Sequence, residues 1–180
     1  YKLIHAPKKY KKNFYNKNIQ KTSFIIGQPD LSKDLLVKAK KLKAIINVES
    51  NFMNNMDYQY CFKKGIHVIA TSPVFSKPVA EIALGMTLSL LRNIHIAHSD
   101  FIKGKEKYGL ESNLNASLLS GKKIGLLGFG DLAKSLYPLL LPFTKDINVY
   151  DPWVSKINIQ QLGFNSIGLN KMFEKCEVIY

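Results

Sequence analysis

The segment Gly128-Phe129-Gly130-Asp131-Leu132-Ala133 constrains this 180-residue chain more than any other. It follows an apolar run, Lys123-Ile124-Gly125-Leu126-Leu127, that reads as a buried strand, and it opens a stretch with helical periodicity. A second apolar run ends at Tyr150-Asp151, and Asp151 lies 23 positions after Gly128. Strand, glycine turn, helix, strand and acid in that order form the dinucleotide-binding arrangement in the context it requires. Gly128 permits the tight turn, and Gly130 lets the backbone approach a pyrophosphate. Ala133 stands at the third glycine position and permits close helix–strand packing. The helix start offers amide groups and a positive dipole end to phosphates. Asp151 is expected to accept hydrogen bonds from the adenine ribose hydroxyls and to repel a 2′-phosphate, which favours NAD over NADP. Asp131 brings a negative charge to the same place, yet it also suits a first helical turn. Pro138 is expected to kink this helix or end it early.

The rest of the chain alternates short apolar runs with amphipathic ones, the pattern of an α/β protein with parallel strands. Strands are expected at 24–27, 43–48 and 66–70, and again at 123–127 and 147–150. A helix with Leu35, Leu36, Ala39 and Leu42 inward follows the first of these. A short helix over 57–64 closes at Gly65. The Thr71–Pro78 segment, punctuated by Pro73 and Pro78, reads as a loop and a domain boundary. Val79–Ile94 reads as a long helix, apolar almost all round, with Glu81 in its first turn and Arg92 in its last. Such a helix must be buried between domains or against a partner subunit. Asn170 is expected to cap a further helix over 171–175.

Composition narrows the function classes. The net charge is +13, but all 26 basic residues except Arg92 are lysine. Lysine, asparagine and isoleucine share AT-rich codons, so a biased genome accounts for the balance. Sequence-specific nucleic-acid readers favour arginine's bidentate fork. A basic nucleic-acid module therefore ranks last, with Lys8–Lys12 and the nearby Tyr10 and Tyr15 as its best local candidate; a solvated face is the favoured reading of that run. Two cysteines, Cys61 and Cys176, exclude a disulfide scaffold and suit a reducing compartment, the cytoplasm. Both read as inert thiols on buried helical faces. The longest apolar stretch, Ile82–Leu91, is too short to span a bilayer, so no membrane partner is expected. His95 and His98 have no third ligand nearby in sequence, and no metal site is expected. Trp153 reads either as packing or as an adenine-side lid.

From about Phe24 onward the chain resembles the D-isomer-specific 2-hydroxyacid dehydrogenases, the group that includes D-3-phosphoglycerate dehydrogenase. The resemblance rests on Asn55-Met56-Asp57, Gly65-Ile66-His67-Val68, Val79-Ala80-Glu81, Leu119-Ser120-Gly121-Lys122, the Gly128–Ala133 turn and Tyr150-Asp151-Pro152, in that order. It implies a partial flavodoxin-like substrate domain over 1–77. The first half of a Rossmann domain, a doubly wound parallel sheet, would follow over 78–180. It places Asp131, Leu132 and Asp151 at the NAD site. It gives the substrate carboxylate to the loop after the second strand, at Ser50 and Asn51, although Val48-Glu49-Ser50-Asn51-Phe52 lacks the glycines common there. It further implies a homodimer through the 79–94 helix and a small 2-hydroxy or 2-keto acid as substrate.

The family's catalytic arginine, acid and histidine are expected beyond Tyr180, so this chain reads as an internal piece with none of the three. With only the first three Rossmann strands, it is expected to be inactive alone and to bind NAD weakly or not at all. The alternative is a non-enzymatic, corepressor-like NAD-binding partner protein on the same fold.

Overall fold

The structure, a computed structural model, describes residues 2–7, 12–49 and 52–180. The Lys8–Lys11 part of the basic run, and Ser50 and Asn51 of the expected carboxylate loop, lie outside the described residues. The chain divides into two compact units, Tyr1–Ser72 and Pro73–Tyr180.

The first unit opens with α1 (Lys12–Asn18) and a 3-10 turn, Ile19–Lys21, neither of which the sequence signalled. Then come β1 (Phe24–Ile26), α2 (Lys33–Lys38), β2 (Ala44–Asn47), α3 (Tyr58–Lys63) and β3 (His67–Ala70). The strands form a parallel sheet in the order β1-β2-β3, with Ile25, Ile45 and Val68 in register. These three residues share one face and pack with Leu35, Leu36, Cys61 and Ile66. The same register puts Phe24, Ile26, His67 and Ile69 on the opposite face, where all four are exposed. Helix α3 begins where it does because Asp57 caps it: its Oδ1 accepts the Tyr60 amide at 2.9 Å. The helix closes at Gly65, whose φ of +69° suits glycine.

The second unit contains α4 (Ser72–Leu91), α5 (Ile94–Ile102), α6 (Leu110–Asn113), β4 (Ile124–Leu127) and α7 (Asp131–Leu140). After these come β5 (Ile147–Tyr150), α8 (Lys156–Gln161), β6 (Asn165–Ser166), α9 (Leu169–Lys175) and β7 (Val178–Ile179). Its sheet is parallel, in the order β6-β5-β4-β7. That order, with crossovers on either side of β4, is the Rossmann arrangement. It has four strands, not the three expected, because the two-residue β6 is too short to leave a sequence signal.

Helix α4 corrects the expected loop at Thr71–Pro78. It starts at Ser72, so Pro73 falls in its first turn, where the missing N–H costs nothing. Pro78 lies inside it and removes one helical bond, to the Val74 carbonyl, without ending the helix. The far end is also earlier than expected. Asn93 takes a left-handed φ of 55°, which separates α4 from α5. Arg92 therefore lies in a turn, and its Nη2 donates to Asn113 Oδ1 at 3.2 Å. Ala80, with Ala83, Leu84, Leu88 and Leu91, packs on the unit's core. Phe75, Val79, Ile82, Met86 and Leu90 form an outward stripe at helical spacing, the last three each 61% exposed. At 20 residues α4 is long and apolar enough to cross a bilayer by length and composition, which corrects the shorter apolar stretch considered from sequence.

Three smaller expectations are also corrected. Helix α7 continues through Pro138 to Leu140, held by Leu136 and Leu140 in the core. Gly168, not Asn170, occupies the cap position of α9. Cys176 ends α9 instead of sitting on its face, whereas Cys61 is fully buried on α3; both thiols are free.

Candidate functional site

The carboxyl ends of β4 and β5 bring the glycine turn and Asp151 together. Gly128 has a φ of +102°, a conformation other residues rarely adopt, and its amide donates to the Tyr150 carbonyl at 2.7 Å. Phe129, between the two glycines, turns inward. It is 2% exposed and meets Phe164 edge-on at 4.6 Å between ring centroids. Gly130 is the N-cap of α7.

A side chain at Gly130 would meet no protein atom within 4 Å, and its φ of −82° and ψ of −164° are open to any residue. Glycine is a favoured N-cap residue, and it also leaves this backbone open to close approach by a bound group. The first-turn amides of α7 have no helical acceptors. Asp131 occupies the first turn and Leu132 is exposed beside it, while Ala133 packs partly into the core as a small residue must.

Asp151 is more engaged than the sequence implied. Its Oδ2 accepts the Phe129 amide at 2.7 Å, and its Oδ1 accepts the amides of Trp153 at 2.7 Å and Val154 at 2.9 Å. Burial works to raise this carboxyl's pKa. The three amides and the charge of Lys134 outweigh that, so it lies below the usual carboxylate range. A carboxylate offers about four acceptor positions. Three are used here to tie the two turns together, which leaves about one position for a further donor. Periodicity gives no hint of these bonds, because they link amides to a carboxylate up to 22 positions away.

Beside Tyr150 a cleft of about 480 Å³ runs along the ends of β5 and β6, between Lys156 and Lys171. In the first unit, Asn47 ends β2 fully buried, a feature the sequence did not single out. His95 is exposed, and its Nδ1 lies 3.3 Å from the Ser89 carbonyl. No group of three metal-ligating side chains occurs among the described residues.

A Rossmann sheet with an open glycine cradle defines the class as a dinucleotide-binding α/β protein. Residues 84–180 match the family model described as D-isomer specific 2-hydroxyacid dehydrogenase, NAD binding domain, and the chain belongs to that family. A hydroxypyruvate reductase of Thermotoga maritima is 32% identical over 149 residues, covering 83% of this chain and 46% of that protein. A D-3-phosphoglycerate dehydrogenase of Methanocaldococcus jannaschii is 27% identical, over 83% of this chain and 28% of that protein. Among solved structures, a phosphoglycerate oxidoreductase from Rhizobium etli superposes with a TM-score of 0.75 at 41% identity, covering 91% of this chain and 51% of that one. The chain thus spans about half or less of the length of these relatives.

Proposed function

We propose that this chain forms the adenosine- and pyrophosphate-binding part, with part of the substrate domain, of an NAD-dependent oxidoreductase. The reaction moves a hydride between C2 of a 2-hydroxy acid and nicotinamide. The observation that carries this reading is the Gly128–Gly130 turn tied to the Asp151 turn at the carboxyl ends of β4 and β5. The names of the relatives, a hydroxypyruvate reductase and D-3-phosphoglycerate dehydrogenases, support a small 2-hydroxy or 2-keto acid as substrate. Bound NAD supplies the hydride acceptor. This chain's residues bind and orient it: the glycine turn and the α7 amides at the diphosphate, and the Asp151 turn at the adenosine side. The negative charge of Asp151 opposes a 2′-phosphate and supports NAD over NADP.

The residues assigned here serve cofactor and substrate binding, and none of them is given the arginine, acid or histidine role of the reaction. Calorimetry on the 180-residue chain tests this division. ADP-ribose and NAD are expected to bind within about threefold of one another, since the nicotinamide half finds few contacts. No turnover of a panel of 2-hydroxy acids is expected. Failure of both nucleotides to bind at millimolar concentration, or measurable turnover, overturns the reading.

The outward stripe of α4 supports a homodimer. Three residues 61% exposed at helical spacing form an apolar band that a second copy can cover. Met86→Lys at its centre is expected to turn a dimer into a monomer in analytical ultracentrifugation. A wild-type chain that sediments as a monomer at tens of micromolar counts against the dimer.

A further inference from the structure

We propose that Trp153 is the adenine platform of the dinucleotide site, its indole stacking on the adenine ring; this rests on the NAD reading above. The side chain is 91% exposed, and none of the other large apolar side chains described is more exposed. An indole left in water forgoes the burial of a large apolar surface, so its place on a turn calls for a reason. The turn itself gives none, because it is held by backbone and by its neighbour. Val154, the next residue, packs against the core. The amides of Trp153 and Val154 both donate to Asp151 Oδ1, at 2.7 and 2.9 Å. Pro152 fixes φ just before the tryptophan. The backbone at 153 is therefore placed, while its indole touches little.

Where that backbone is placed identifies the occupant. The same carboxylate that holds the Trp153 amide accepts the Phe129 amide through Oδ2 at 2.7 Å, and Phe129 lies between the two glycines of the cradle. One side chain thus fixes both the diphosphate turn and the residue carrying the indole. The turn leaves the carboxyl end of β5, next to β4, where a Rossmann sheet takes the adenosine half of a dinucleotide. Adenine offers a flat π surface that an aromatic side chain recognises without charge. A tryptophan on a fixed backbone has only two torsions to settle on binding.

Trp153 is the one tryptophan of the chain, so its emission reports on this site alone. Titration with AMP and with ADP-ribose, excited at the red edge of indole absorption, is expected to quench that emission. Calorimetry is run in parallel on the wild type, Trp153→Phe and Trp153→Ala. Trp153→Ala is expected to weaken both ligands by about 5- to 100-fold, the range found when a base loses its aromatic partner. Trp153→Phe keeps a π face and is expected to stay within about fivefold of wild type. The exposed side chain buries little surface, so both variants are expected to melt like the wild type. Binding of ADP-ribose by calorimetry with unchanged emission, or with equal affinity in Trp153→Ala, overturns the platform and leaves the NAD reading standing. Absence of binding by any nucleotide overturns both.

Discussion

Gly130→Val is expected to weaken ADP-ribose binding by at least about 100-fold, roughly 2.7 kcal/mol, while barely changing the fold. The two effects separate because of where the side chain goes. A Cβ at this position meets no protein atom within 4 Å, and the extended backbone at φ −82°, ψ −164° accepts a β-branched residue. The folded chain loses mainly a good N-cap on α7, a cost of no more than about 1 kcal/mol. That corresponds to roughly 4–8 °C at most in melting temperature for a unit of this size. The branched side chain instead fills the space a diphosphate needs. Calorimetric titration and thermal melting on the same sample check both halves. Unimpaired binding by Gly130→Val removes the argument that the glycine serves a ligand.

The reverse pattern is expected at Gly125, inside β4. A Cβ there comes within 2.8 Å of Met172 Cγ, 3.0 Å of its Sδ and 3.3 Å of Cys176 Sγ. Met172 is itself fully buried on α9, so it has little room to withdraw. Gly125→Val overpacks the contact between sheet and helix, at a cost of about 2–3 kcal/mol, or on the order of 10 °C for a unit this size. Truncating the obstacle should recover much of this. Gly125→Val with Met172→Ala is expected to be more stable than the sum of the two single losses. A Gly125→Val chain that melts at or above wild type shows that the methionine gives way freely.

These two glycines also show what the sequence could reveal. The Gly128–Ala133 turn was legible because its spacing encodes a local backbone shape, and strand and helix flank it directly. Gly125 passed for an ordinary strand residue, because its reason lies in Met172, 47 positions away. Asp151 was found by its distance from Gly128, yet its bonds to the amides of Phe129, Trp153 and Val154 were not, since amides leave no mark in composition. The start of α4 was missed for a different reason. Pro73 and Pro78 read as loop punctuation, but a first turn tolerates proline and the packing of Ala80, Leu84 and Leu88 carries the helix past the second. The three strands of the first unit followed from their apolar runs, whereas α1 and the two residues of β6 carried too little pattern to be seen.

The bonds from Gly128 to Tyr150 and from Phe129 to Asp151 join two successive strand-to-helix turns before any ligand arrives. A loop assembled in advance has little disorder left to lose when a nucleotide lands on it. The entropy of ordering that so often weakens binding at glycine-rich loops is therefore already met by folding. On the NAD reading proposed above, a nucleotide would dock onto a seat already formed, its arrival limited by diffusion and orientation.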